Sequence, residues 1–471
     1  MVSLGIVACG GSDSFAPPPP PVPTEVRLAA AGPTTIEAGG TIQFSAQVFD
    51  NHGAVMTGQT ISYSSSVTSV GTITSGGLFM SAGQSGSTLV TATSGTLSSS
   101  LTVTVNAAPA AAATINDGNN QRGFVREALP VNPSVLVKDK FGNPIAGVDF
   151  TFTVTQGGGS VGLATVTSSG SGIAGTTWIL GKSVGHNRLA VTAQGFTALS
   201  FDADGDSPYN IEVVYSQEVS TSERSAVDAA IAHWKRIITT DIGTAQFGTS
   251  GGGCAGFSLA PNEIIRGLRV YVKDSAVAGS TLLAQSGPCY INSVSKFPVV
   301  SVIIWNTNQT AFIQSNSLGE IIATHEFAHA MGFGTIWTTK SLLAGSGTSD
   351  PYFTGFEAVT AFTTSFGAGY VGNPVPVEGT GSTGTAGSHW RESVFNRELM
   401  TGFVNTGTPN PLSAVTIASF ADLGYTVDVS QAEVFTGSVL MPGAPTSPQS
   451  RIDIGDDIIR QPIGLVAPRQ R

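Results

Sequence analysis

Residues 317–334 read SLGEIIATHEFAHAMGFG, and this run decides how the rest of the chain is read. Ser317 and Glu320 stand at capping-box spacing at its start, and Gly332 and Gly334 fall where a helix would close. Leu318, Ile321, Ile322, Phe327, Ala328 and Met331 leave little polar surface, so the pattern predicts a mostly buried helix. Four residues advance a helix by slightly more than one turn, which puts His325 and His329 on one face. Two imidazoles stacked in that way can share one zinc ion at roughly 2.0–2.1 Å. Glu326, one residue round from His325, reaches a water on such a metal without ligating it, as a general base must.

A catalytic zinc needs three protein ligands and one open position. The chain has six histidines. His52 and His186 lie in segments read below as separate β modules, and His233 sits on an earlier helix. His389, in GTAGSHWRESVF, is left as the third ligand, 60 residues beyond His329 (389 − 329). Met400 follows in RELMTGF. The competing reading is a buried helix that carries two satisfied core histidines. A buried His pair with a Glu between them is costly without a metal.

HEFAHAMGFG, the distant GSHW and the following ELMTG resemble the leishmanolysin family of zinc metallopeptidases over roughly residues 206–440. The resemblance implies a metzincin-type site with an insertion between the second and third His. It implies His325, His329 and His389 as the ligands of one Zn2+ per chain, Glu326 as the catalytic residue and Met400 as the turn methionine. The function implied is a zinc-dependent endopeptidase, acting on protein or peptide substrates by Glu-assisted attack of a zinc-bound water. The alternative belongs to another class, a non-proteolytic surface adhesin whose zincin-fold domain binds rather than cuts. An intact Glu326 speaks against it.

At 471 residues the chain is long for one domain and suggests about three. Only 11% of residues are charged and 58 are Gly, a composition that suits β-rich extracellular modules with many turns. A net charge of −10 argues against nucleic acid as a partner, because phosphate neutralisation needs clustered Lys and Arg.

The fold class expected is therefore multidomain, two all-β Ig-like sandwiches followed by an α+β zincin (metzincin-like) catalytic domain. Residues 1–9, MVSLGIVAC, are too short to span a membrane and lack a positive n-region. Ile6-Val7-Ala8-Cys9 followed by Gly10-Gly11-Ser12 resembles the lipobox of bacterial lipoproteins. That implies Cys9 as the lipidation site, a membrane anchor, and export to the cell surface or beyond. The missing front half implies, in that reading, a true start that lies upstream or is mis-assigned; the other reading is an apolar N-terminus without meaning. Residues 10–24, with Pro17 to Pro21 and Pro23, form a stiff spacer.

Residues 25–106 alternate like half-buried strands, with Ile42, Phe44, Ala46 and Val48 on one face, and resemble bacterial Ig-like repeats. An Ala-rich linker, Ala107–Ala113, leads into a second module over 110–204. There Val148, Phe150, Phe152 and Val154 alternate, and the segment resembles the Ig-like repeat of invasin-type surface proteins. Asp202, Asp204 and Asp206 either chelate calcium or form a solvated acidic linker.

The domain spanning 206–440 opens with a strand, Ile211–Tyr215, and a helix from about Thr221 to Thr239 with Ser220 and Glu223 as its capping box. Val227, Ala230, Ile231, Trp234 and Ile238 make its core-facing stripe, and His233 is structural or exposed. Strands at Leu268–Val272 and Val299–Trp305 lead to the metal helix, the zincin order. Leu282–Gln285 is expected as an edge strand, which in related peptidases binds the substrate by β-augmentation. Cys254 and Cys289 are read as one disulfide, or else as two free buried thiols. The segment ahead of this domain offers no Cys apart from Cys9 for a cysteine switch of the family's kind. Trp390 is expected to pack the His389 ring, and Ile417–Leu423 to form a short helix. Residues 441–471 read as a loosely ordered tail.

Overall fold

The computed structural model describes residues 19–277, 281–366, 375–382, 384–435, 451–453, 458 and 464–468. Cys9, the signal-like segment and most of the Pro-rich spacer lie outside the described residues.

The first module stacks two sheets. One runs Pro23–Ala30, Thr41–Asp50, Leu78–Ser81, Gly71–Ile73, and the other Thr35–Glu37, Leu97–Asn106, Gly86–Ser94, Ser62–Ser65. Alternation buries Ile42, Phe44 and Val48 against Val90, Ala92, Val103 and Val105, so one face of each sheet makes the core. In the second module Phe150, Phe152, Trp178, Leu189 and Phe201 form a separate core.

Part of the expected Ala-rich linker is instead strand, because Ala110–Asp117 pairs with Ser134–Asp139. Alanine hides the alternation from a hydrophobicity pattern, and the opposing Val135 and Val137 supply the buried surface. The joint between the modules is hydrogen-bonded. Asn143 Nδ2 donates to the Gly83 carbonyl (2.7 Å), and the Ala108 N–H donates to Asp139 Oδ2 (2.8 Å). Asp202, Asp204 and Asp206 lie on one strand, Leu199–Asp206, rather than in a linker. Arg188 and His186 engage Asp202, and Arg122 meets Asp206 through two nitrogens. Arg188 and Arg122 thus pair with Asp202 and Asp206.

The remaining chain builds a seven-stranded sheet among the described residues. Its order is Ile211–Tyr215, Leu268–Ser275, Pro298–Asn306, Ala284–Asn292, Gly464–Pro468, Thr244–Gln246, Ile264–Arg266. The first three are parallel, and Ala284–Asn292 runs antiparallel to Pro298–Asn306. That strand is longer than the expected Leu282–Gln285. At Tyr290–Asn292 its outer edge pairs with Gly464–Pro468, a piece of the segment read as a loose tail. Sheet pairing uses main-chain groups, and only Val466 of this short strand is buried, so the local sequence gave little sign of it.

The helix Thr221–Ile237 begins with the expected capping box, Ser220 and Glu223 satisfying one another's backbone N–H groups. Trp234 is fully buried, and its indole N–H donates 2.9 Å to the Thr324 carbonyl of the metal helix. This ties the two helices together at a residue whose removal typically costs about 3–5 kcal/mol in a core. A helix over Ala414–Asp422 ends at Gly424 (φ 102°), and Tyr425 donates to the Met331 carbonyl (2.9 Å). Cys254, on a small hairpin, is joined to Cys289 on the antiparallel strand. Replacing both by Ser is expected to lower stability by at most about 3–4 kcal/mol in the chain-entropy model for a 35-residue separation. Denaturant titration of wild type and the double variant checks this, and equal stabilities would refute it.

Candidate metal centre

The metal helix spans Gly319–Ala330, and nine of its twelve residues are buried. It does not use the Ser317–Glu320 box. Leu318 is the N-cap without a side-chain hydrogen bond, and Ser317 takes φ 55°. The cause is the short helix Thr310–Ser315 just upstream, which makes the chain reverse tightly so that buried Leu318 docks in the core. The Leu318 N–H donates to the Ile313 carbonyl, and its own carbonyl accepts from Ile322.

Gly332 (φ 118°) and Gly334 (φ 69°) close the helix as the sequence implies. Gly334 has a second task. A Cβ there would lie 2.2 Å from the Ser388 carbonyl oxygen, so glycine is what lets the segment bearing His389 come against the helix end.

The structure brings His325, His329 and His389 together. Their Nε2 atoms stand 3.0 Å (329 to 325), 3.0 Å (329 to 389) and 3.3 Å (389 to 325) apart. Each ring turns its Nδ1 to a backbone carbonyl: Leu399 for His325 (2.7 Å), Phe333 for His329 (2.9 Å) and Thr385 for His389 (3.3 Å). A nitrogen facing a carbonyl must carry the proton, so the three Nε2 lone pairs converge. Three acceptors cannot hydrogen-bond one another, whereas a cation between them satisfies all three. Tetrahedral nitrogen ligands at roughly 2.0–2.1 Å lie about 3.3–3.4 Å apart, close to the spacing found. The trio is a group that can hold a metal ion. His233, half-buried on its own helix with its pKa lowered by burial, is not part of it.

Glu326 and His325 line a small cleft with Leu283, Ile321, Ile322, Leu399, Phe403 and Val404. The walls are apolar, and the carboxylate is the acidic group among them.

Glu398 was not read as a functional residue from the sequence. It lies fully buried two positions before Met400. One oxygen accepts from the Ser413 N–H (3.0 Å), the Ser413 hydroxyl (2.8 Å) and the Thr416 hydroxyl, and the other from the Met400 N–H (2.6 Å). The Thr416 hydroxyl in turn accepts from the Trp390 indole N–H (2.7 Å). Burial pushes the Glu398 pKa up, and the four donors oppose that shift. All four are donors, and the site lies at the N-terminus of Ala414–Asp422, so the ionised form suits the network. One carboxylate thus fixes the turn that presents the Leu399 carbonyl to His325 and holds Trp390 beside His389. The sequence signal was a lone acid in an apolar stretch, ELM.

Trp390 sits in an aromatic cluster behind the ligand segment. Its ring meets those of Trp337 (5.1 Å), Phe333 (5.0 Å), Phe395 (5.4 Å) and Phe353 (5.7 Å). Met400 is buried in the same core.

Solved structures that align with part of the chain include the Yersinia pseudotuberculosis adhesin InvE, at 18% identity over 39% of this chain and 59% of that one, TM-score 0.23. The Escherichia coli adhesin FdeC aligns at 18% identity over 39% of this chain and 66% of that one, TM-score 0.27. Scores this low carry no argument about fold. The curated Leishmanolysin of Leishmania donovani is 30% identical over 193 residues, which is 38% of this chain. The chain spans about a third of that relative's length, 32%. The family model described as Leishmanolysin matches residues 242–441, the stretch that carries all three histidines, Glu326, Glu398 and Met400. Over that stretch the chain is leishmanolysin-like.

Proposed function

We propose that this protein is a zinc-dependent endopeptidase, exported and held at the cell surface, with two Ig-like sandwiches ahead of a zincin-type catalytic domain. The observation that carries the reading is the convergence of three imidazole Nε2 atoms beside a buried glutamate in an apolar cleft. The match to the Leishmanolysin model over 242–441 supports it.

In this reading His325, His329 and His389 hold the zinc, and the carbonyls of Leu399, Phe333 and Thr385 fix their rings. Zinc, when bound, supplies Lewis acidity toward the scissile carbonyl and the attacking water. Glu326 takes the proton from that water and later delivers it to the leaving amine. Leu283, Ile321, Leu399 and Val404 offer an apolar seat for a substrate side chain and exclude bulk water from the carboxylate. The Met400 turn supports the His325 side through the neighbouring Leu399 carbonyl. The Cys254–Cys289 disulfide fits an oxidising compartment. Lipidation at Cys9 would supply the membrane anchor. No helix of the described residues is long and apolar enough to cross a membrane.

Metal content tests the reading. Purified wild type should carry about one zinc per chain, as three His ligands define one catalytic site. His389→Ala should lose most of it while His233→Ala retains it. Equal loading of the two variants by elemental analysis would defeat the ligand assignment. A fully loaded wild type that cuts no protein or peptide would favour the adhesin instead.

A further inference from the structure

The third histidine is held by a short strip of chain that precedes it, Pro376, Val377 and Glu378. Val377 bridges Trp390 in antiparallel fashion, and the Arg391 N–H donates to the Pro376 carbonyl (3.0 Å). The Glu378 N–H donates to the carbonyl of His389 itself (2.8 Å), and the Glu378 carbonyl accepts from the Gly387 N–H (2.8 Å). Gly387 follows the turn in which the Thr385 N–H donates to the Ser382 carbonyl (3.2 Å), and the Thr385 carbonyl faces His389 Nδ1. Glu378 therefore grips both the backbone of the ligand and the turn that orients its ring. The strip is anchored on its far side as well, where the Val377 N–H donates to the Pro351 carbonyl (3.0 Å) and Tyr352 bridges Pro376.

The Glu378 side chain extends this grip past the ligand. One carboxylate oxygen accepts from the Gly379 N–H (3.0 Å), the Thr380 N–H (3.0 Å) and the Thr380 hydroxyl (2.7 Å), and the other from the Glu392 N–H (3.3 Å). All four partners are donors, a set that an ionised carboxylate, which only accepts, satisfies in full. Pro376 and Val377 are buried and apolar, so Glu378 is the residue of the strip whose side chain can bond across. Its carboxylate joins residues on both sides of His389. His325 and His329 are aligned by the hydrogen bonds of their helix, whereas His389 lies outside any helix or strand. Its aim depends on tethers of this kind.

We propose that Glu378 is the positioning residue of the third ligand: its carboxylate keeps His389 Nε2 aimed at the other two nitrogens and so sets how tightly the centre keeps its metal. The inference rests on the ligand assignment above. Groups that support a ligand from behind typically change metal affinity by about 10–100-fold.

Zinc affinity, read by competition with a chromophoric chelator, is compared for the full chain as wild type, Glu378→Ala, His389→Ala and the double variant. Glu378→Ala is expected to weaken binding at least about tenfold. On the His389→Ala background the same change should alter affinity by less than about twofold, because the ligand through which it acts is gone. Equal losses on both backgrounds would mark a general structural effect and overturn the proposal, as would wild-type affinity in Glu378→Ala. Glu378→Gln keeps an oxygen for Gly379 and Thr380 but sets its amide against the Glu392 N–H, so its affinity should fall between wild type and alanine. If the alanine variants melt early without metal, the same cycle is run with glutamine, and unchanged affinity again overturns the proposal. Wild-type affinity in His389→Ala would sink the ligand assignment itself, whereas a weakened His389→Ala beside an unchanged Glu378→Ala sinks the positioning role alone.

Discussion

Glu326→Gln is expected to cut peptide hydrolysis by about 10²–10⁴ in kcat/KM while zinc stays bound, the range lost with a positioned general base. Glutamine keeps the size and hydrogen-bonding shape of the side chain and removes its basicity. It replaces no ligand, since the converging nitrogens belong to His325, His329 and His389. Metal content and melting temperature should therefore remain near wild type. The measurement pairs elemental analysis with steady-state kinetics. A variant that holds zinc and still cuts at the parent rate would show that Glu326 is not the base.

Glu398→Ala is expected to be strongly destabilising, since each buried donor left without an acceptor costs about 1–3 kcal/mol. The Met400 and Ser413 N–H groups and two hydroxyls would lose their common acceptor inside the core. Zinc affinity should fall with stability, because the Leu399 carbonyl that orients His325 rides on the same turn. Glu398→Gln is the sharper probe. Its oxygen can still accept from Ser413 and Thr416, but its amide then meets the Met400 N–H, donor to donor. A loss of about 1–3 kcal/mol is expected, the usual cost of one unsatisfied buried group. Denaturant unfolding and competitive zinc titration report the two effects. Wild-type stability and zinc affinity in the alanine variant would remove Glu398 from the account of the site.

What the sequence showed of this site depended on how local the signal was. His325, Glu326 and His329 share one helix, so their spacing alone places them together. His389 was reachable because histidine is scarce: His52 and His186 fall on other modules and His233 on an earlier helix. Ser220 and Glu223 declare their helix start within four residues, and the structure has that cap. Ser317 and Glu320 make the same local pattern without forming it, because the helix before them forces a tight reversal. Glu398 takes its meaning from Ser413 and Thr416, which no spacing rule connects to it. The strand Gly464–Pro468 escaped for a related reason. Main-chain pairing with a distant edge leaves little trace in side-chain pattern, and half-exposed residues close to Pro and Gly resemble a tail.

The gap between the second and third histidines has a consequence for the apo chain. A metal held by His329 and His389 is a cross-link that closes a loop of 60 residues (389 − 329). If it restricts the unfolded chain as a covalent bridge would, the chain-entropy model assigns it about 4 kcal/mol. Chelation is then a topological cut, releasing the stretch from Thr335 to Ser388 at one end while Gly334 still tethers the other. The first nicks made by a second protease on chelated protein should fall inside that stretch, and zinc should erase them.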